Sequence, residues 1–172
     1  MKGLLQKLTG MLSMIFREIK PSDNYALADL IRVNLKAYKL DIPGTAYFDE
    51  HLDRLSEFYL ADRSERFYYI LEDEGKLAGG IGLAKIDLFE ECAELQKLYL
   101  SDDVKGKGLG YKLISLIEDK ARELGYKRIY LETHDNLKAA VHLYERCDYI
   151  EIDKPESVVH STMNRFFIKD LI

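Results

Sequence analysis

Cysteine, proline and long apolar runs are scarce in these 172 residues, and each scarcity closes off a class of protein. The two cysteines, Cys92 and Cys147, form no CxxC pair, and no His/Cys cluster has zinc-site spacing, so no metal is expected. Nothing requires a disulfide, and both read as reduced, buried small residues of a cytoplasmic protein. With only three prolines, no Gly/Ser linker, no repeat and no low-complexity tract, the chain reads as a single ordered domain. No run of about 18 apolar residues exists, so no membrane-spanning helix is expected.

The first residues are the one segment that invites a targeting reading. Leu4, Leu5, Leu8, Met11, Leu12 and Ile15 recur at helical spacing. Lys7 interrupts the apolar core that a signal peptide needs, and Lys2 and Lys7 are too few for a membrane-surface anchor. Residues 1–13 therefore read as a short helical extension on a domain spanning 14–172, with Met14 an alternative natural start.

Net charge is −5, which argues against non-specific nucleic-acid binding. The charge is uneven. Residues 41–94 hold 5 basic and 14 acidic side chains, whereas residues 95–172 hold 13 of each. An acidic, tyrosine-bearing region suits a cationic partner, although most such charges sit on solvated faces.

Periodicity gives the order β-α-α-β-β-β-α-β-α-β-β. Strands are expected over 15–19, 67–72, 77–86, 93–100, 128–133, 149–152 and 163–168. Helices are expected over 25–38, 48–60, 108–124 and 137–146. Asp73-Glu74-Gly75-Lys76 reads as a hairpin turn, and Gly79, Gly80 and Gly82 as a bulge or a close backbone approach. The unit over 93–133 is a right-handed crossover, which makes its two strands parallel neighbours. The fold class is α/β (α+β), a mixed sheet flanked by helices.

The most informative segment is Lys105-Gly106-Lys107-Gly108-Leu109-Gly110, between a strand and a helix. Alternating glycines let several N–H groups converge on one anion, and a helix N-terminus adds its dipole. Lysines 105, 107 and 112 add formal charge. A phosphate or pyrophosphate is the expected guest. The nucleotide-binding GxxxxGK[ST] pattern fails for want of the earlier glycine at Ser101. The dinucleotide GxGxxG pattern fails because Tyr111 stands at its third glycine.

Leu98-Tyr99-Leu100 followed by that turn resembles the acetyl-CoA motif of the GNAT superfamily of N-acetyltransferases. Asn136 after the next strand, and Leu143-Tyr144-Glu145-Arg146 followed by Tyr149, resemble later segments of the same family. The resemblance spans roughly residues 15–169. It implies a mostly antiparallel sheet with one splayed parallel strand pair, and acetyl-CoA as co-substrate. It implies an acyltransferase in which an amine of a small molecule or peptide attacks directly in a ternary complex. A homodimer is compatible with it.

The cofactor-contacting set implied is Leu98, Tyr99, Leu100, Lys105, Gly106, Lys107, Gly108, Leu109, Gly110, Tyr111 and Asn136. Two positions depart from the family pattern. Lys105 stands where glutamine or arginine is usual, keeping a cation but losing a planar multi-donor head. Asp148 replaces a glycine expected to end a helix in the left-handed region.

Acetyl transfer requires the amine to lose a proton, the carbonyl oxygen to find donors, and the departing thiolate to be stabilised. Tyr144 is the candidate acid, aligning with the family tyrosine near the cofactor sulfur, although it is equally a core aromatic. Glu94, at the start of the strand leading to the turn, is the candidate base, directly or through water, with Glu132 as rival. Asn136 reads also as an N-cap for the helix beginning at Leu137. The alternative function is a regulatory module that binds acetyl-CoA without effective turnover, left open by Lys105.

Overall fold

The computed structural model describes residues 14–159 and 161–172. The extension assigned to residues 1–13 lies outside them.

In chain order the elements are β1 (Met14–Glu18), α1 (Asn24–Ala37), α2 (Leu55–Ala61), β2 (Arg66–Asp73), β3 (Lys76–Ile86) and β4 (Cys92–Leu100). They continue with α3 (Leu109–Glu123), β5 (Arg128–Thr133), α4 (Lys138–Arg146), β6 (Ile150–Ile152) and β7 (Arg165–Asp170). The seven strands form one sheet in the order β1-β2-β3-β4-β5-β7-β6. Every neighbouring pair is antiparallel except β4 and β5, the expected crossover pair.

Each face of the sheet carries its own core. On one, the apolar stripe of α3 (Leu113, Ile114, Ile117, Ala121) and Tyr144 of α4 meet Leu83, Ala93, Leu95, Ile129 and Leu131. On the other, Leu27, Ile31 and Leu35 of α1 and Leu55 and Tyr59 of α2 cover Tyr68 and Ile70. The hairpin joining β2 to β3 turns on Glu74 and Gly75, both at positive φ as a two-residue type I′ turn demands.

Several expectations are corrected. The helix expected over 48–60 is helical only from Leu55. Ala46–Phe48 and Leu52–Arg54 are single 3₁₀ turns, separated by Asp49 in extended backbone. The Asp49 carboxylate accepts the His51 amide at 2.9 Å, a local bond that competes with helix formation. The last strand is Arg165–Asp170, two residues later than expected. Cys92 is buried as expected, but Cys147 is only half-buried.

Candidate active site

Strands β4 and β5 pair only through Cys92–Arg128, Ala93–Ile129 and Glu94–Tyr130. Beyond Glu94 they part, because β4 bends at a bulge. Gly80 and Gly82 of β3 face Tyr99 and Gln96, so two residues of β4, Lys97 and Leu98, oppose one of β3. Lys97 takes φ 51°, and its carbonyl accepts the Tyr68 hydroxyl at 2.8 Å. The parting opens a cavity of about 420 Å³. Its walls include Leu98 and Leu100 of β4 and Ala140 and Leu143 of α4, with Gly106 and Gly110 at one end and Glu94, Gln96 and Glu132 also lining it.

The glycine turn is built for backbone exposure. Gly106 and Gly108 lie at φ 74° and 76°, where a side chain is strained, and nothing lies within 4 Å of where a Cβ would stand at either. Gly108 caps α3, whose first N–H groups have no helical partner. Gly110 differs, since a Cβ there would come 2.8 Å from Leu143 Cδ2, so its bareness lets α3 pack on α4. An apolar slot leading from a bare anion-binding helix end fits a pantetheine arm and its pyrophosphate.

Of the residues singled out from the sequence, Glu94, Leu98, Tyr99, Leu100, Lys105, Gly106, Gly110 and Tyr144 line this one cavity. Lys107, Gly108 and Tyr111 are exposed at its outer rim, and Leu109 packs with Val104 and Leu71. Lys105 is turned inward. Its Nζ donates to Asp102 Oδ1 at 2.7 Å and Asn34 Oδ1 at 3.1 Å, and lies 5.5 Å from the Tyr38 ring centroid. Asn136 does not cap α4, whose N-cap is Leu137. Its side-chain amide instead donates to the Tyr38 carbonyl at 2.9 Å, tying the end of α1 to the approach of α4. Asp148 does take the left-handed conformation, φ 65°, and the Tyr149 amide closes the turn on the Tyr144 carbonyl at 3.1 Å.

The two carboxylates at the far end differ. Both oxygens of Glu132 accept a bond, Oε1 from Tyr130 Oη at 3.0 Å and Oε2 from Ser161 Oγ at 2.8 Å. Among the described residues Glu94 accepts a single bond, from Gln96 Nε2 to Oε2 at 2.9 Å. Burial pushes the Glu94 carboxyl above its ordinary range; the Gln96 bond opposes this and the nearby Glu132 charge adds to it. Tyr144 is 5% exposed, with its ring 5.9 Å from Tyr149 and 6.2 Å from Phe167. Burial drives its phenol well above the ordinary tyrosine range, so it stays protonated.

Sequence reasoning overlooked Gln96 and Lys97, and placed Tyr59 only as one of the aromatics walling the substrate side. Lys97 is deep enough that burial lowers the pKa of its ammonium, against the pull of Asp49 and Glu94. The available signal was the polar set Glu94, Gln96 and Lys97 inside a strand whose other residues are Cys92, Ala93, Leu95, Leu98, Tyr99 and Leu100. The bulge that places it depends on tertiary pairing.

Residues 32–149 match the family model of the acetyltransferase (GNAT) family. The chain is 38% identical to the N-acetyltransferase YjgM of Escherichia coli (strain K12), over 82% of this chain and 84% of that protein. It is 30% identical to the spermidine N(1)-acetyltransferase of Vibrio cholerae, over 69% of this chain and 67% of that one. The PaiA N-acetyltransferase of Thermoplasma acidophilum, solved in complex with coenzyme A, superposes with a TM-score of 0.73 at 18% identity. That match covers 92% of this chain and 99% of the other.

The splayed parallel pair, the glycine turn and these matches define an acyltransferase that moves acetyl from acetyl-CoA to an amine. The chain belongs to the GNAT family of acetyltransferases.

Proposed function

We propose that the acceptor is a cationic primary amine of a small molecule or peptide, attacking the acetyl carbon directly with Glu94 as base. The observation that carries this reading is the single cavity. It joins a glycine turn suited to pyrophosphate with a carboxylate that has one unsaturated oxygen, and no cysteine lines it.

Acetyl-CoA supplies an acetyl thioester, the electrophile. The glycine turn and the first N–H groups of α3 hold its pyrophosphate. The edge of β4 left unpaired by β5 offers the backbone of Leu98 and Leu100 to the pantetheine amides. Glu94 accepts a proton from the acceptor ammonium, whose ordinary pKa near 10.4 keeps it charged at neutral pH. Its raised pKa brings Glu94 closer to that task. Glu132, with both oxygens already accepting, is oriented by Tyr130 and Ser161. Tyr144 donates a hydrogen bond toward the departing sulfur. A phenol this hard to ionise stabilises a thiolate without surrendering its proton to it. Glu94, Glu132 and Asp49 together favour a cation at this end, and the similarity to a spermidine acetyltransferase supports a polyamine among the candidates.

The test is thiol release from acetyl-CoA over a panel of polyamines, aminoglycosides and lysine peptides. Acceptor-dependent release with at least one cationic amine is the expected result. No release over the whole panel, from protein whose melting temperature acetyl-CoA raises, would favour the regulatory binding module instead.

A further inference from the structure

A hydrogen-bond chain runs over the sheet face beneath α1 and α2 to Glu94. Tyr59, on α2, is 1% exposed, and its hydroxyl donates to Gln96 Oε1 at 2.8 Å. Gln96 in turn donates from Nε2 to Glu94 Oε2 at 2.9 Å. The carboxylate fixes the amide orientation, because a flipped Gln96 would turn its carbonyl oxygen on an acceptor; Tyr59, whose hydroxyl can donate or accept, then donates to the oxygen left facing it. The path exists because β3 has Gly82 opposite Gln96. A Cβ at Gly82 would stand 2.5 Å from Tyr59 Oη and 2.7 Å from Tyr68 Cδ2. The tyrosine hydroxyl passes where any other residue of β3 would place a side chain.

We propose that Tyr59 and Gln96 are positioning residues for the reaction, holding Glu94 so that Oε1 is presented to the acceptor amine. The inference rests on the reading of Glu94 as base. In the step they serve, an N–H bond of the acceptor ammonium breaks and an O–H bond forms at Glu94 Oε1. The electron pair left on nitrogen becomes the nucleophile. The Gln96 bond stabilises the ionised carboxylate that must be present beforehand.

Other groups that act on Glu94 stay in place when this chain is cut. They are Lys97 on its own strand and Glu132 on β5, while Asp49 acts on Lys97 and Tyr59. Tyr130 and Cys92 also feel the Glu94 charge. Removing the Gln96 donor therefore has one direction of effect: ionisation of Glu94 becomes harder.

The experiment compares the full chain with its Gln96→Met, Tyr59→Phe and Glu94→Gln variants. It follows kcat against pH with an acceptor found by the amine panel, with melting curves and the acetyl-CoA-induced melting shift run beside it. The acceptor's own titration is common to all and cancels in the comparison. Gln96→Met should move the acid limb upward by about one pH unit, the loss of one hydrogen bond to a charged acceptor. Tyr59→Phe should move it the same way by less. Both should keep the acetyl-CoA shift.

An unmoved limb in a folded Gln96→Met variant, with Glu94→Gln inactive, overturns the positioning role alone. A Glu94→Gln variant with the parent's activity and pH profile overturns the base assignment, and this inference with it. If Gln96→Met fails to fold, Tyr59→Phe decides, since phenylalanine keeps the ring contacts with Phe58 and Tyr68.

Discussion

Tyr144 packs in the core and, in the proposed reading, also takes part in the chemistry. Its ring belongs to the core under α3 and α4, whereas its hydroxyl finds no hydrogen-bond partner among the described residues and its side chain lines the cavity. Tyr144→Phe should leave the melting temperature nearly unchanged. As a hydrogen-bond donor to a developing thiolate, the hydroxyl contributes about 1.5–3 kcal/mol. The change should therefore lower kcat about 10–100-fold. A full general acid would cost about 10²–10⁴, so single-turnover rates of the two proteins separate the roles. A kcat within two-fold of the parent would make Tyr144 a packing residue only. The place of Tyr144 at the cavity was legible in the sequence because residue type and local motif define it. The chain from Tyr59 through Gln96 was not, because its residues lie 37 positions apart and meet only through the bare backbone of Gly82.

At the scale of elements, strand periodicity and the glycine turn were readable because both are local. The parallel pairing of β4 with β5 followed from connection handedness. The splay between them was expected only from the family resemblance, and its local origin was not readable, since it lies at the bulge where Lys97 takes positive φ. The helix expected over 48–60 failed for a related reason. Its apolar spacing was right, but Asp49 bonds its own backbone and Thr45 caps a separate turn. The turn before α3 yields a sharp element-level test. At about 100 times its Kd, acetyl-CoA should add about 2.7 kcal/mol, or roughly 5–10 °C for a domain of this size. Gly108→Val strains a left-handed position by about 1–2 kcal/mol but meets no neighbour, so the protein should fold and lose that melting shift. Gly110→Val instead drives into Leu143 and should lower the melting temperature itself. A Gly108→Val protein that keeps the parent's shift would remove the turn from the cofactor site.

The charge of the whole molecule bears on the two substrates with opposite sign. Acetyl-CoA is a polyanion approaching a protein of net charge −5, and the acceptor proposed for it is a cation. Several carboxylates of the acidic stretch are engaged in ion pairs, among them Asp53 with Arg32, Glu65 with Lys85, Glu72 with Arg17 and Glu91 with Lys127. These pairs take part of the short-range pull of that stretch, but they do not change the sum of 5 basic and 14 acidic residues over 41–94. In the proposed reading, the excess of acidic residues left after these pairs draws a cationic acceptor toward the end of the cavity that Glu94 lines. In the same reading the anionic cofactor is met by the exposed Lys107 and Lys112 and by the N–H groups of the glycine turn, Lys105 being engaged by Asp102 and Asn34. Raising the salt from about 0.01 M to about 0.15 M shortens the screening length from ~30 Å to ~8 Å. Under that change kcat/KM for spermidine should fall several-fold, on the order of ten at most, and by less for an acceptor with one positive charge. Measuring both acceptors at saturating acetyl-CoA isolates the acceptor's contribution. If the two respond equally, or neither responds, the acidic stretch is a solvated surface with no part in drawing the acceptor in, and acceptor choice rests on the cavity alone.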